Sequence, residues 1–592
     1  MASVPTASSA TSGFFQQLPT ILPQYTSPQL ANAHDEVTDD VVLTRLTKLY
    51  LPDSSQQVVG KAMHEISRTV PEPATLKHAV EAETVPPTLQ PLTTFGELNR
   101  DDPLVLCHGW KALKAIGIQA GVVSLGYDKS TFTHNRRVHQ FLMNHNWHHT
   151  STLTMCPMSM TDWSARFISN HIGDDDDDEM ERRAVLSEYY RRLISSDPSE
   201  AWTSGQWMTE KSGGSDVRGT ETIATRLTPT NLRGAVGRGQ DILGQPLGPR
   251  SIDGFKWFSS ATDSDMTMLL AQTPKGLSAF CVPMRRKAGK GSELNGIRIQ
   301  RLKNKMGTKG LPTAELELKG ARGWLVGEEG KGVKAISAVL NITRLYTGAG
   351  SVSYWARGLA VCRAHTKVRK VRGAYLYENL QHSHWMAGET VKYRAATALT
   401  FFGVALLGCS EQGSSVMRNK PAAALIPNDE TAKLLLRLLE PVIKAQTSVA
   451  AEGTVSVIAD NVGRVLRDKR IQGGRIIEDV FAPWTTRTLN LCSKRFANEC
   501  IAITERLETL LALILRIKAD GALLEYSGRW LLDHLDVVTT ATLLLYDAST
   551  GNDEIASHVA IRYVRSHISA VSYAKLAHLT AQPKPPLMQG SS

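Results

Sequence analysis

Two short runs of this 592-residue chain bring hydroxyls, glycines and aromatic side chains close together in sequence. Residues 208–217 read MTEKSGGSDV, and residues 254–260 read GFKWFSS. A glycine pair lets a backbone approach a bulky polar ligand, and the hydroxyls on either side can donate hydrogen bonds to it. An aromatic ring can cover the face of a flat ring system. Together the two runs predict a site for a flat cofactor that carries phosphates.

Two of these features also fit a plainer interpretation. The turn Gly213-Gly214-Ser215 is compatible with an ordinary loop, although its position at the head of a predicted β domain favours a ligand role. Phe258 fits either packing in the core or covering a cofactor ring. Both alternatives remain open at the level of sequence.

Length and composition indicate a large globular protein. A chain of 592 residues exceeds one ordinary core and predicts about two to four domains. With 42% hydrophobic and 21% charged residues, wholesale disorder is excluded. The seven cysteines are scattered without metal-ligand spacing, so we expect reduced thiols and no metal site. His145, His148 and His149 have no carboxylate or cysteine beside them, which favours a structural or solvent-facing role over a metal site.

The sequence predicts an intracellular protein, cytoplasmic or peroxisomal, that is neither secreted nor membrane-spanning. No Lys or Arg precedes Arg45, so neither a secretory signal nor an Arg-rich transit peptide is apparent. The sequence contains no uncharged apolar run of eighteen residues, the length that a membrane-spanning helix needs. The last three residues are Gly-Ser-Ser rather than the peroxisomal Ser-Lys-Leu address.

Much of the net charge of +10 comes from one basic segment in the middle part of the sequence. Residues 357–395 hold eight Lys and Arg against Glu378 and Glu389. Such a cluster suits the phosphates of a nucleotide cofactor or of coenzyme A, or else a solvated helix face. From Trp484 onward eleven Lys and Arg face ten Asp and Glu, and this near-neutral segment argues against nucleic-acid binding.

Hydrophobic periodicity predicts an α+β fold in the order helical, β, helical. Helical spacing dominates before residue 205, short alternating runs such as Ala314–Leu318 follow, and long helical stretches resume after Gly330. The predicted organisation is a flexible leader (1–40), an N-terminal helical domain (41–204), a middle antiparallel β-barrel domain (205–330), a helical bundle (331–484), extra C-terminal helices (485–580) and a flexible tail (581–592).

This order and its motifs resemble the acyl-CoA dehydrogenase flavoproteins. The motifs are residues 208–216, residues 256–260 and the run GEEGKG at 327–332, and the resemblance covers about Arg137 to Trp484. It is closest to the branch that includes the bacterial adaptive-response protein induced by DNA alkylation. The resemblance implies FAD as cofactor and the family's fold of two helical domains around a β domain.

The resemblance also implies roles for individual residues. The segment at Met208 and Thr209 would line the flavin, Ser215 would lie near the pyrophosphate or the acyl-CoA, and Phe258 would pack on the isoalloxazine. Ser260 would donate a hydrogen bond to flavin N5. The full implied cofactor set is Met208, Thr209, Gly214, Ser215, Val217, Phe258, Ser259, Ser260, Arg369 and Thr454.

Arg369 belongs to the run RKVRG at 369–373, which is similar to the family's Arg-x-x-Phe-Gly. In the family this arginine reaches the FAD pyrophosphate of a neighbouring subunit, and a guanidinium suits phosphate oxygens. The resemblance therefore implies a homo-oligomer, either a dimer or a tetramer. Arg372 replaces the family's Phe.

The implied reaction is α,β-desaturation of an acyl-CoA thioester, with an electron acceptor to reoxidise the flavin. Glu452, in a run similar to the family's Trp-Glu-Gly-Thr, would be the base, although an ordinary carboxylate at a helix start is the alternative. The implied substrate residues are Ser215, Ser260 and Arg344, and a helix salt bridge is the alternative for Arg344. The long leader and extra helices leave room for a tailored substrate of a specialised pathway.

The chain also departs from the family pattern. The family's Gly-Gly-x-Gly-Tyr turn and the helix before the catalytic motif have no counterpart, and Ala451 stands where a Trp is expected. Several dozen residues are therefore missing before Glu452. These departures suggest a second hypothesis, a catalytically degenerate paralogue. The resemblance to the adaptive-response branch suggests a third, a flavin-fold protein that binds nucleic acid.

Overall fold

The computed structural model describes residues 19–28, 30, 38–130, 134–175, 179–214, 216–234, 237–337, 340–447, 455–521 and 523–568. The described residues form two compact units, one within Pro19–Ala364 and one within His365–Ser592. The first unit contains the predicted N-terminal helical region and the β region, and the second is helical.

The first unit begins with helices, as the periodicity predicts. Asp40 caps the first helix, where its carboxylate accepts a hydrogen bond from Val42 N at 2.9 Å. The helices are α1 (Val41–Tyr50), α2 (Asp53–Thr69), α3 (Pro73–Thr84), α4 (His108–Gln119), α5 (Arg136–His148), α6 (Met155–His171) and α7 (Glu179–Leu193), and a short hairpin of β1 (Thr88–Leu89) and β2 (Leu104–Val105) lies between α3 and α4.

A buried ion pair holds the helices of this unit together. Arg137 on α5 donates to Asp162 on α6 at 2.8 Å, and neither side chain is exposed. The same carboxylate accepts from Tyr127 at 2.6 Å, Gln140 at 2.7 Å and Tyr346 at 2.9 Å. Because burying a charge is costly unless its hydrogen bonds are satisfied, this network specifies how the helices pack.

The middle region folds into a small closed sheet. Strand β11 pairs with β5 along most of its length and with β7 at its end, while β5, β4, β6 and β7 complete the ring. The elements are β3 (Ser204–Trp207), β4 (Ile223–Arg226), α8 (Pro229–Arg233), β5 (Arg250–Ser260), β6 (Met266–Thr273), β7 (Gly276–Pro283), β8 (Arg285–Ala288), β9 (Gly291–Leu294), β10 (Ile297–Leu302) and β11 (Thr313–Leu325).

The ring encloses a core of buried apolar side chains that includes Ile252, Leu269, Phe280 and Leu316. The predicted β-barrel is confirmed, and most of its pairings are antiparallel. One edge differs, because β3 runs parallel to β6 and β4 meets β6 in parallel at Ile223 and Gln272.

Helices follow the sheet. Asn379 caps α11 by accepting from His382 N at 3.0 Å, and Asp553 caps α17 in the same way. The elements are α9 (Gly332–Ser337), α10 (Leu340–Val368), the hairpin β12 (Lys370–Val371) and β13 (Ala374–Tyr375), α11 (Leu380–Gln412), α12 (Asp429–Thr447), α13 (Val455–Arg467), α14 (Ala482–Cys492), α15 (Ala497–Ala519), α16 (Leu523–Ser549) and α17 (Glu554–His567). The predicted C-terminal helices are thus confirmed.

Among the described helices, α11 is the one long and apolar enough to cross a membrane. Of its most apolar window, 78% is buried inside the protein. Its apolar residues therefore serve the core of the second unit, as in a central helix of a bundle.

Candidate functional site

A buried ion pair anchors the first motif to the second. Lys256 Nζ donates to Glu210 Oε1 at 2.6 Å and to the Leu270 carbonyl at 2.9 Å, and the lysine is fully buried. Glu210 also accepts from Thr222 Oγ1 at 2.5 Å and from Glu221 N at 2.7 Å. Burial raises the pKa of Glu210, but Lys256 and these donors outweigh burial, and the net pKa is lower than usual. The carboxylate is therefore held in its charged form.

This anchor fixes the backbone of the first motif beside strand β5. Trp257 N donates to the Thr209 carbonyl at 2.9 Å. Glu210 and Gly213 exchange two backbone hydrogen bonds, which closes a tight turn. A Cβ on Gly213 would lie 2.2 Å from the Asp216 carbonyl oxygen, so only glycine fits there. A Cβ on Gly214 would meet no atom of the described residues within 4 Å, and this glycine therefore borders open space.

A β-bulge lies at two of the three aromatics of the second motif, Trp257 and Phe258. Strand β11 pairs Ala314 with Ser259 and then Leu316 with Lys256, so Trp257 and Phe258 both oppose the single residue Glu315. Bulges of this kind redirect side chains and occur often beside active sites. Phe258 is 45% exposed as a result, which excludes the core-packing alternative.

Cations surround the two rings. Lys303 Nζ lies 3.1 Å from the centroid of the Trp257 ring and 4.7 Å from that of Phe258. Lys211 lies 5.0 Å from the Trp257 centroid. Glu315 accepts from Lys303 at 2.6 Å and so fixes that ammonium. The face of the sheet at the bulge therefore combines aromatic rings with ammonium groups, one of which is paired with Glu315.

Ser260 ends strand β5 beside a second lysine. Its hydroxyl lies 3.2 Å from Thr313 Oγ1, and Lys305 Nζ donates to that same Thr313 oxygen at 2.7 Å. Burial lowers the pKa of Lys305 to about 8. The Ser260 hydroxyl keeps hydrogen-bonding capacity, because Thr313 is its one side-chain partner among the described residues.

These residues fit the ring system of a flavin. Phe258 offers an exposed aromatic face, Ser260 offers a partly exposed hydroxyl, and Gly214 leaves open space for a bulky group. Ser259 is fully buried, and its hydroxyl has no hydrogen-bond partner in the described part of the chain. The site thus offers an aromatic face for stacking and hydroxyls for hydrogen bonds, which are the two kinds of contact that a flat polar ring makes.

The remaining predicted residues are distributed as follows. Met208, Thr209 and Val217 are half-buried in the first unit, and Arg344 is half-buried in the first turns of α10. Arg369 is exposed in the second unit and precedes the hairpin of β12 and β13, where the Leu376 amide donates to its carbonyl at 2.9 Å.

Three predicted positions, Ser215, Glu452 and Thr454, lie outside the described residues.

The structure also shows where Arg372 lies. It occupies the turn of that hairpin with φ +54°, followed by Gly373 with φ +85°. The residue that replaces the family's Phe is therefore an exposed turn residue.

Sequence reasoning missed five residues that shape the site: Glu210, Lys256, Lys303, Lys305 and Thr313. An isolated lysine within the β5 pattern was a usable signal, because a charge in a buried strand needs a partner. The others depend on cross-strand register, which no local pattern contains.

The basic cluster is partly neutralised. Arg363 pairs with Asp39 in the first unit, and Lys392 donates to Glu389 at 2.9 Å in the second. Arg369, Lys370 and Arg372 are exposed on the hairpin. No group of three or more His, Cys, Asp and Glu side chains arranged to hold a metal occurs where the structure describes the chain.

Two regions of the chain match known protein families. Residues 205–321 match the acyl-CoA dehydrogenase middle domain, and residues 26–177 match the N-terminal domain of the adaptive-response protein AidB. Acyl-CoA dehydrogenase family member 11 of Caenorhabditis elegans is 33% identical over 458 residues, and AidB of Escherichia coli is 30% identical over 249 residues.

A solved structure extends the likeness to the fold. The crystal structure of Caenorhabditis elegans ACDH-11 in complex with C11-CoA superposes with a TM-score of 0.74 at 26% identity, covering 98% of this chain and all of that one. The sequence matches are shorter. They cover 75% and 42% of this chain, and 65% of the nematode protein and 39% of the bacterial one.

Proposed function

Because the chain belongs to the acyl-CoA dehydrogenase family, in the branch that carries the AidB N-terminal domain, we propose that it is an FAD-dependent oxidoreductase that desaturates an acyl-CoA thioester. The observation that carries the proposal is the bulge that exposes Phe258 next to the Ser260 hydroxyl. An exposed aromatic face beside a hydroxyl can cover one side of a flat ring while the hydroxyl reaches its polar edge.

Each proposed residue has one task. The carboxylate of Glu452 removes the α-proton of the thioester and becomes a carboxylic acid. The chemistry that FAD would supply when bound is that of a two-electron acceptor for the β-hydride at N5. Phe258 covers the ring and excludes water, while Thr209 and Ser260 orient it through hydrogen bonds. In this proposal Met208, Gly214, Val217, Ser259 and Thr454 also belong to the cofactor site.

Substrate and assembly follow from the same assignment. The nematode structure contains C11-CoA, which supports an acyl-CoA substrate here. Ser215, Ser260 and Arg344 face this substrate in the proposal. Arg369, exposed on the second unit, reaches the cofactor phosphates of a second copy of the chain, so the active protein is a homo-oligomer. An external electron acceptor then reoxidises the flavin.

Anaerobic mixing with a saturated acyl-CoA tests the proposal. The parent protein bleaches its blue flavin absorbance as the substrate is oxidised. Glu452→Gln binds FAD equally well and bleaches at least about a hundredfold more slowly, because general-base catalysis contributes about 10² to 10⁴ in rate. Equal bleaching rates in the two proteins contradict the base assignment.

The matched control is Glu430→Gln in the second unit. Glu430 is exposed and accepts from Gln472 at 2.9 Å, so its loss leaves the bleaching rate unchanged. Sub-stoichiometric FAD that added cofactor does not restore would instead identify the chain as a catalytically degenerate paralogue.

A further inference from the structure

Four groups at the end of strand β5 form one continuous hydrogen-bond chain. Ser260 and Thr313 are directly paired across β5 and β11, and their hydroxyl oxygens lie 3.2 Å apart. Lys305 Nζ donates to Thr313 Oγ1 at 2.7 Å and to the Leu311 carbonyl at 2.9 Å. Thr313 Oγ1 lies 3.4 Å from the same carbonyl.

The donors and acceptors in this chain allow two arrangements. A threonine hydroxyl has one hydrogen and two lone pairs, and an ammonium has hydrogens alone. Lys305 therefore always occupies one lone pair of Thr313. The Thr313 hydrogen points either to Ser260, which then donates elsewhere, or to the Leu311 carbonyl, which frees the second lone pair to accept from Ser260.

We propose that Thr313 and Lys305 are positioning residues that form a hydroxyl switch for Ser260. The inference rests on the proposed function, in which Ser260 faces flavin N5. Ser260 must donate to N5 before hydride transfer and accept from the N5 hydrogen after it. The switch satisfies Ser260 in both cases by rotating two hydroxyl hydrogens, and no covalent bond of the protein changes.

Burial around Thr313 and Lys305 preserves this hydrogen-bonding pattern. Thr313 is 2% exposed, so water does not compete for its oxygen. Burial lowers the pKa of Lys305 to about 8, so the ammonium form prevails at pH 7. Burial also raises the pKa of Cys156 to about 11, and this neighbour therefore stays a neutral thiol. Lys305 therefore acts only as a hydrogen-bond donor. The acceptor for the Ser260 hydroxyl hydrogen is Thr313 Oγ1.

The first arm of the test uses the protein without added flavin. Thermal melts are compared for Ser260→Ala, Thr313→Val and the double variant. Because the two hydroxyls share a hydrogen bond, the two shifts in melting temperature are not additive. The control pair is Ser260→Ala with Lys275→Met, since Lys275 is 73% exposed and pairs with Glu329 instead, and its shifts add. Additive shifts for Ser260 and Thr313 overturn the switch.

The second arm uses the FAD-loaded protein. Thr313→Val leaves Ser260 without an acceptor after reduction, so the affinity for reduced flavin falls about tenfold more than that for oxidised flavin. That ratio lowers the two-electron midpoint potential by about 30 mV. Thr313→Ser keeps the hydroxyl and restores the potential. A Thr313→Val potential equal to the parent's overturns the switch.

The two failures are distinguishable. If the parent binds FAD and is bleached by an acyl-CoA while Thr313→Val keeps the parent potential, the switch alone is wrong. If the parent binds no FAD, the proposed function is wrong and the switch is rejected with it.

Discussion

The ammonium of Lys256 lies 2.6 Å from the carboxylate of Glu210, and the two side chains are 0% and 8% exposed. This pair joins strand β5 to the segment that carries Met208 and Thr209. Beside the pair, Trp257 N donates to the Thr209 carbonyl. Lys256 and Glu210 therefore preorganise the site, although neither would contact a ligand. Preorganisation of this kind lowers the cost of ordering a loop when a cofactor binds.

Removing the lysine of this pair should destabilise the protein strongly. Lys256→Met leaves Glu210 buried without its cation, which costs about 3 to 5 kcal/mol. Urea unfolding measures the loss. The double variant Lys256→Met with Glu210→Gln should recover part of the stability, since it removes the unpaired charge. Lys275→Met is the control, because that lysine is 73% exposed and its partner Glu329 is 3.7 Å away.

Two adjacent glycines should behave differently. Gly213→Ala places a Cβ 2.2 Å from the Asp216 carbonyl, so the turn must open, and the melting temperature and FAD affinity should both fall. Gly214→Ala meets no described atom, and its melting temperature should match the parent's. FAD titration should still show weaker binding for Gly214→Ala if a ligand approaches this backbone. Parent-like affinity would remove Gly214 from the cofactor site.

Acid should destabilise the first unit through histidines buried on α5. Burial lowers the pKa of His145 to about 3 and of His148 to about 4. The unfolded chain binds protons at these residues from pH 6.5 downward, whereas the folded chain stays neutral to about pH 4. Stability is therefore lost as the pH falls from 6.5 to 4, by about 1.4 kcal/mol per pH unit for each histidine.

Urea titrations across this pH range check the slope. His148→Gln should flatten it by about one proton, whatever its effect on absolute stability. The exposed His558→Gln provides the matched comparison and should leave the slope as it is. An unchanged slope in His148→Gln would show that this histidine is not the group that titrates.

The Arg137 and Asp162 network should be as sensitive as the site anchor. Arg137→Met leaves the fully buried Asp162 without its cation and should cost about 3 to 5 kcal/mol in urea unfolding. Tyr346→Phe removes one of several donors to the same carboxylate, so a loss of about 1 kcal/mol is expected. Equal losses for the two variants would mean that Asp162 does not depend on its cation.

The regular elements of the fold were predictable because local patterns encode them. The alternating run at Ala314–Leu318 predicted a strand, and the structure has one at Thr313–Leu325. The short β3 was missed, because four residues paired in parallel with a distant strand carry no period of their own. The helical regions followed from their 3.6-residue spacing.

The site was predictable in its motifs and unpredictable in its geometry. The two runs at 208–217 and 254–260 indicated which segments meet. The bulge at Trp257 and Phe258 is a shift of one residue against β11, and composition does not record such a shift. The contact between Ser260 and Thr313 likewise joins residues 53 positions apart. Register therefore decides whether Phe258 is exposed and which hydroxyl meets Ser260.

Equilibrium dialysis of the purified chain against FAD measures whether the chain binds the cofactor at Phe258. One FAD should be retained per chain, with weaker retention in Phe258→Ala and unchanged retention in Phe95→Ala, an exposed aromatic outside both motifs. No FAD retained at saturating cofactor, or equal retention after Phe258→Ala, would show that the chain has no flavin site at Phe258.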